Sequence, residues 1–258
     1  MPLVNVALTG LLAYMGVGFA RAHGLGRWWG LSLPVAVNAF MPPLHDLSDT
    51  AAMVALFALF WAWLRGGPAW GIALAGAAAC LAREQNAAVV ALILPAGLIA
   101  RRPTTSFAAT AALAVWAGWV LVVRQMYGQS PFIASNFDAP FDGLLFQFQH
   151  LGGNERFSTR KALFIIPMLA LLLVEIGFAA YLAVRDRDGV VAGAVLGGVL
   201  LMCLVNDFVF RDFWSVTRIF VWIPLGVWIL SVRAGKIWPI RIQMVAIMWP
   251  FAAALKYV

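Results

Sequence analysis

The sequence predicts an all-α protein: a polytopic transmembrane helical bundle of about eight to ten apolar helices, each span needing about 20 apolar residues or fewer where a helix is short. Three observations predict it. Apolar side chains make up 63% of the 258 residues, against roughly 45–50% in a soluble domain. Mean hydropathy is +0.89. The few charges stand in short clusters between apolar runs, and the balance of those clusters alternates from one run to the next. The whole chain, 1–258, therefore reads as a single transmembrane domain with no room for a soluble one.

Cutting at charges and at Gly or Pro breaks gives ten apolar segments, about 2–20, 28–44, 50–64, 69–82, 86–100, 106–123, 162–184, 189–205, 219–232 and 238–255. The first meets no charge before Arg21, so it lacks the basic start of a signal peptide. The second runs from Trp28 to Pro42-Pro43-Leu44 and carries Pro34, a predicted kink. The third follows the polar knot His45-Asp46-Leu47-Ser48-Asp49-Thr50 and stops at Arg65. The fourth starts beyond Gly66-Gly67-Pro68 and ends at Arg83-Glu84-Gln85. The fifth opens at Asn86, contains Pro95 and ends at Arg101-Arg102. The sixth reaches Arg124, and a loop over 124–161 separates it from the seventh. Charged turns bound the last three.

Loop charges test this division, because a wrong number of spans scrambles their alternation between sides. After the odd segments come Arg21, Arg27, Arg65, Arg101, Arg102, Arg185, Arg187, Arg233, Lys236 and Arg241, with only Asp186 and Asp188 against them: net +8. After the even segments come Arg83, Arg124, Arg156, Arg160, Lys161, Arg211, Arg218 and Lys256, balanced by eight acids. Glu175, alone within segment seven, completes the formal charge of +7. The basic side is expected in the cytoplasm, which puts the N-terminus and every mixed cluster on the outer side of a plasma membrane. A first segment entering from outside also predicts that an N-terminal piece of a longer protein is missing. Scattered cations of this kind speak against nucleic acid as a partner.

Polar residues in so apolar a chain are the candidate site. Asp46 and Asp49, three apart, share a face of any helix starting there, although a solvated N-cap needs just one of them. Arg83 and Glu84 are squeezed between two spans, where they must pair or face a cavity. Arg211 and Arg218, seven apart, line one helix face and suit an anion such as phosphate, with an interfacial belt of Phe208, Phe210, Phe213 and Trp214 as the plainer alternative. Loop 124–161 alternates Pro, Asn and Asp138 with phenylalanines and reads as an interfacial lid or a surface helix. Glu175 is favoured as a hydrogen-bonded structural residue, since no partner in another span stands out. Gly189, Gly193 and Gly197 recur every four residues and predict close helix packing. Cys80 and Cys203 fall inside spans as small apolar fillers. There is no P-loop, no metalloprotease helix pair and no Cys-rich metal pattern, and Gly24-Leu25-Gly26 is not followed by a correctly spaced third glycine.

Taken together, His-Asp-Leu-Ser-Asp-Thr opening an apolar helix, Ala-Arg-Glu-Gln closing another, the loop Ser-Asn-Phe-Asp-Ala-Pro-Phe-Asp-Gly-Leu-Leu and Thr217-Arg218 entering a late span resemble bacterial integral-membrane glycosyltransferases of the GT-C superfamily. The resemblance covers roughly residues 28–225. It implies transfer of a sugar from a polyprenyl-phosphate donor to an acceptor on the outer face of the bacterial inner membrane. A carboxylate would act as general base, and arginines would stabilise the leaving phosphate. Carried over, it makes Asp46 and Asp49 catalytic, and His45, Arg83, Glu84, Asp138, Arg211 and Arg218 substrate-binding. Metal ligands are not specified and no cofactor is fixed; a divalent cation stays open, and the lipid-linked sugar is the donor substrate. One departure stands out: the acidic motif of the family's first outer loop has no counterpart here. Expected partners are membrane lipids, the polyprenyl-phosphate sugar and, on a rival reading as a non-catalytic subunit, a larger membrane complex. A transporter is a third reading, supported only by Glu175.

Overall fold

The computed structural model describes residues 2–37, 39, 48–128, 140–143, 145–146, 170–171, 173–182, 189–205 and 221–255. These residues form helices and turns, with no strand among them, so the all-α class holds. In chain order the helices are α1 (Pro2–Ala22), the short α2 (Arg27–Leu31) and α3 (Leu33–Ala36), α4 (Ser48–Leu64), α5 (Ala69–Ala82), α6 (Asn86–Ile99), α7 (Pro103–Tyr127), α8 (Leu173–Leu182), α9 (Gly189–Met202), α10 (Trp222–Arg233) and α11 (Trp238–Leu255). Of those judged by length and composition, α1 and α7 are long and apolar enough to cross a membrane; several others are shorter apolar helices.

Several helices stop where the sequence places a turn. At the ends of α1, α4, α6 and α10 the stop has one shared geometry. The amide of Leu25 bonds the carbonyl of Ala20, Gly67 that of Ala62, Arg102 that of Gly97 and Lys236 that of Ser231, at 2.7–2.9 Å. Inside each of these bonds a second one links residues three apart, from Gly24 to Arg21, Gly66 to Trp63, Arg101 to Leu98 and Gly235 to Val232. This is the Schellman closure, which needs a left-handed residue. Gly24, Gly66 and Gly235 supply it at φ +76°, +62° and +63°, whereas Arg101 adopts φ +56° with a full side chain. The second segment breaks at Ser32 rather than kinking at Pro34, which instead sits in the first turn of α3, where its missing N–H costs nothing.

The four closures gather at one end of the bundle. Arg102 donates to the carbonyl of Trp63 at 3.5 Å and lies over its ring; Arg65 lies over Trp61, and Arg241, in the first turn of α11, lies 5.5 Å above Trp29. Phe19 joins these groups, with ring centroids 5.9 Å from Trp61 and 6.0 Å from Trp228. Trp228 is fully buried and donates to Ser32 Oγ. Of the residues assigned to the basic side by their position in the sequence, Arg65, Arg102 and Arg241 thus meet in space at one basic end.

The core between the helices is closely packed, and it departs from one expectation. Among the described residues nothing lies within 4 Å of a Cβ added at Gly189 or Gly193, and at Gly197 the neighbour is Leu92 at 3.9 Å. The close approaches are at Gly198, where a Cβ would lie 2.8 Å from Ile223 Cγ1, and at Gly226, where it would lie 2.5 Å from Val195 Cγ2. The reason is helical phase. The buried face of α9 carries Val191, Ala194, Val195, Gly198 and Met202, and the row of glycines at 189, 193 and 197 is rotated off it by one residue, about 100°. Gly30 is pressed onto the backbone of α1 at Val17, so its role is helix contact rather than phosphate binding.

Candidate functional site

At the end opposite the basic turns, the structure brings two of the sequence clusters together. Asp49 lies in the first turn of α4 and is 2% exposed. Arg83 follows the last turn of α5 in extended conformation (φ −152°, ψ 119°), which releases its side chain from the helix surface. Its guanidinium forms an ion pair with the Asp49 carboxylate. Helices α4 and α5 are an antiparallel hairpin closed at Arg65–Pro68, so the start of one and the end of the other meet by topology. Glu84 sits half-buried in the following turn, where its backbone carbonyl accepts the Ala87 amide.

Further polar side chains crowd this pair. Thr50 and Asn86 are buried, and Asn86 donates to the carbonyl of Ala79, the carbonyl that also accepts the Arg83 amide. Thr50 Oγ1, Gln85 Oε1 and Asn86 Oδ1 are shielded and accept no hydrogen bond within the described residues. Buried polar atoms normally have partners, and leaving one without costs about 1–3 kcal/mol. Phe19, late in α1, packs on Phe57 and Trp61 of α4. Asn5 is buried too.

The pair is recessed. Gly76 of α5 lies against Ala112 of α7, two helices that both start from the basic end. From that level α5 ends after six residues, at Ala82, while α7 continues for fifteen, to Tyr127. At 1.5 Å per residue α7 outreaches α5 by about 13 Å. Arg83 therefore lies well below the tip of α7 rather than at the outermost surface of the bundle.

Of the other predicted site residues, His45, Asp46, Asp138, Arg211 and Arg218 lie outside the described residues, as does most of loop 124–161. The described part of that loop reaches the end of α9, where the amide of Phe141 donates to the carbonyl of Cys203. No group of three or more His, Cys, Asp or Glu side chains that could hold a metal ion is found among the described residues.

Sequence reasoning singled out Asp49 and Arg83 in separate clusters; it named Thr50 and Gln85 within those clusters and Asn86 as the start of the next run, but gave none of the three a role. It also missed the partner of Glu175. Gln243, fully buried in α11, donates to Glu175 Oε1 at 2.8 Å and to the carbonyl of Pro224 at 3.0 Å. One amide thereby ties α8, α10 and α11 together.

Fold and site define an all-α protein with a buried, recessed Asp–Arg pair at one end of a helical bundle and a cationic, tryptophan-rich opposite end. No family model matches the chain, and no curated protein or solved structure matches it.

Proposed function

We propose that the chain is a multi-pass protein of a bacterial inner membrane, related in design to GT-C glycosyltransferases, with its site on the outer side. Membrane residence is supported by the direction in which apolar side chains point. On α7 the buried face holds Thr105, Ser106, Ala108, Ala109 and Ala112, while Phe107, Val115, Trp119 and Leu121 are exposed. A water-soluble helix shows the opposite pattern. The basic turns, each with arginine near tryptophan, suit the cytoplasmic headgroup region.

The single observation that carries the site assignment is the Asp49–Arg83 pair. Polar groups at membrane depth are tolerated where they are enclosed by protein or line a wet cavity, and here they are recessed and accompanied by acceptors that have no partner among the described residues. A guanidinium has five N–H donors in a planar fork, the geometry that suits a carboxylate or a phosphate, and this supports Arg83 as a phosphate-binding residue. The chemistry this suits is departure of a lipid-linked phosphate from a sugar. Asp46 or Asp49 takes the acceptor proton as general base, and Arg83, Arg211 and Arg218 stabilise the developing phosphate charge. His45, Glu84 and Asp138 complete the sugar contacts.

The test is mass spectrometry of gently purified full-length protein with its lipids, alongside transfer assays with polyprenyl-phosphate sugars. A copurifying polyprenyl phosphate in the wild type that is lost in Arg83→Gln, with transfer abolished in Asp49→Asn, is the expected result. Bulk phospholipid alone together with a stoichiometric partner chain sinks the enzyme reading in favour of an accessory subunit.

A further inference from the structure

The seam between α8 and α11 holds a groove of about 510 Å³, open on one side and almost wholly apolar. Leu171 and Val174 form one wall, Ile242, Val245 and Ala246 the other, and among the described residues that line it one is charged, Arg241, at one end. The two helices run antiparallel. Phe178 meets Trp238 at a ring distance of 5.3 Å, and Glu175 meets Gln243 one turn further along. Arg241 therefore marks the basic end of the groove, and Val245 and Ala246 lie deeper in the bundle. The groove is on the side of the seam away from Glu175 and Gln243, which are buried.

We propose that this groove binds one anionic phospholipid of the cytoplasmic leaflet, its phosphate on Arg241 and one acyl chain along Val174, Ile242 and Val245. The proposal rests on the membrane reading above but not on sugar transfer. The occupant follows from complementarity. A long slot without polar walls accepts a hydrocarbon chain and rejects a peptide, whose backbone needs hydrogen-bond partners there. The cation at its mouth selects a negative head. Arg241 is also held ready, because Trp29 lies under its guanidinium. A cation–π contact gives the guanidinium no hydrogen-bond acceptor, and a phosphate supplies one. Arg233 and Lys236, in the turn just before α11, add positive potential at the same level.

The site is distinct from the recessed Asp49–Arg83 pair, which is at the other end of the bundle. Its occupant would fill a gap between two helices already tied by the Glu175–Gln243 bond, and so act as a structural lipid.

The experiment takes full-length protein in mild detergent, adds equimolar phosphatidylglycerol and phosphatidylcholine, and reads retained lipid by native mass spectrometry. Wild type is expected to retain one phosphatidylglycerol in preference to phosphatidylcholine. Arg241→Gln should weaken that retention about tenfold, equivalent to about 1.4 kcal/mol, and Arg241→Lys should restore part of it. Val245→Trp, which fills the slot, should abolish retention of either lipid. Arg241 and Val245 are both exposed, so these variants leave the core intact, and an unchanged circular dichroism spectrum checks that. Equal phosphatidylglycerol retention by wild type, Arg241→Gln and Val245→Trp overturns the proposal. So does a dimer mass that Val245→Trp dissociates, since a second copy would then occupy the groove. Protein recovered without detergent overturns the membrane reading itself, an outcome visible before any lipid is added.

Discussion

At the scale of single residues, the Asp49–Arg83 pair dominates. Breaking a buried ion pair by removing one partner typically costs about 3–5 kcal/mol, because the other charge is stranded, whereas removing both costs much less. Asp49 is almost fully enclosed and Arg83 is 19% exposed, so losing the ion pair costs the carboxylate more than the guanidinium. Arg83→Gln is therefore expected to destabilise more than Asp49→Asn, by about 3 kcal/mol or more. The double variant should fall well short of the sum. Thermal unfolding of the purified variants in detergent, followed by circular dichroism, measures this cycle. Additive losses would show that the two side chains do not interact. The same pair shows why sequence reading stopped short. Asp49 and Arg83 are each conspicuous in an apolar chain, but 34 positions separate them. Their meeting depends on α4 and α5 forming a hairpin whose ends coincide. Gln243 was less legible still, as an uncharged amide in a long apolar run, and it is the residue that satisfies Glu175.

At the scale of helices, existence was legible and facing was not. Apolar runs bounded by Arg, Gly or Pro mark α4, α5 and α6 to within a residue or two, because charges and helix breakers leave the chain few other places to turn. The interacting face of α9 was misread from its glycine spacing, since a row of small residues marks a possible contact and only the partner decides which row is used. The structure assigns contact to Gly198, beside the buried Trp222 and Ile223 of α10. Gly198→Ala is thus expected to lose about 1–3 kcal/mol through overpacking. Gly193→Ala, where no described residue lies within 4 Å of the added Cβ, should gain up to about 1 kcal/mol from helix propensity. Opposite signs in a paired thermal-stability measurement support this assignment, and a loss at Gly193 larger than at Gly198 overturns it. Arg101 makes a related point about turns. Three of the four closures at the basic end use glycine, yet here an arginine accepts the left-handed conformation at a cost of roughly 1–2 kcal/mol. A second cation beside Arg102 in that turn is what a cytoplasmic headgroup region would reward.

At the scale of the whole molecule, the decisive property is the separation of a basic end from a mixed one, and α7 offers a direct test of what it means. Its 25 residues make it about 37 Å long at 1.5 Å per residue, more than the roughly 30 Å of a bilayer core. Thr104, in its first turn, belongs to the basic end beside Arg101 and Arg102. Gln125, in its last turn, lies beyond the level of the Asp49–Arg83 pair, and both side chains are exposed. In a background with Cys80→Ala and Cys203→Ala, each position can carry a single cysteine. Cys80 is buried and Cys203 half-buried, so removing them also prevents slow background labelling. If the bundle spans a membrane with its basic end in the cytoplasm, a membrane-impermeant maleimide added to intact cells should modify Gln125→Cys and spare Thr104→Cys until the membrane is opened. The reverse pattern would invert the protein and move the Asp49–Arg83 pair to the cytoplasm, where a polyprenyl-phosphate donor at the outer face could not reach it. Labelling of both positions in intact cells would deny that α7 crosses at all, and with it the reading of the four basic turns as cytoplasmic. Counted over the sequence, the loops after the odd segments carry net +8 and those after the even segments zero. That asymmetry is large enough for the first pattern to be the expected one.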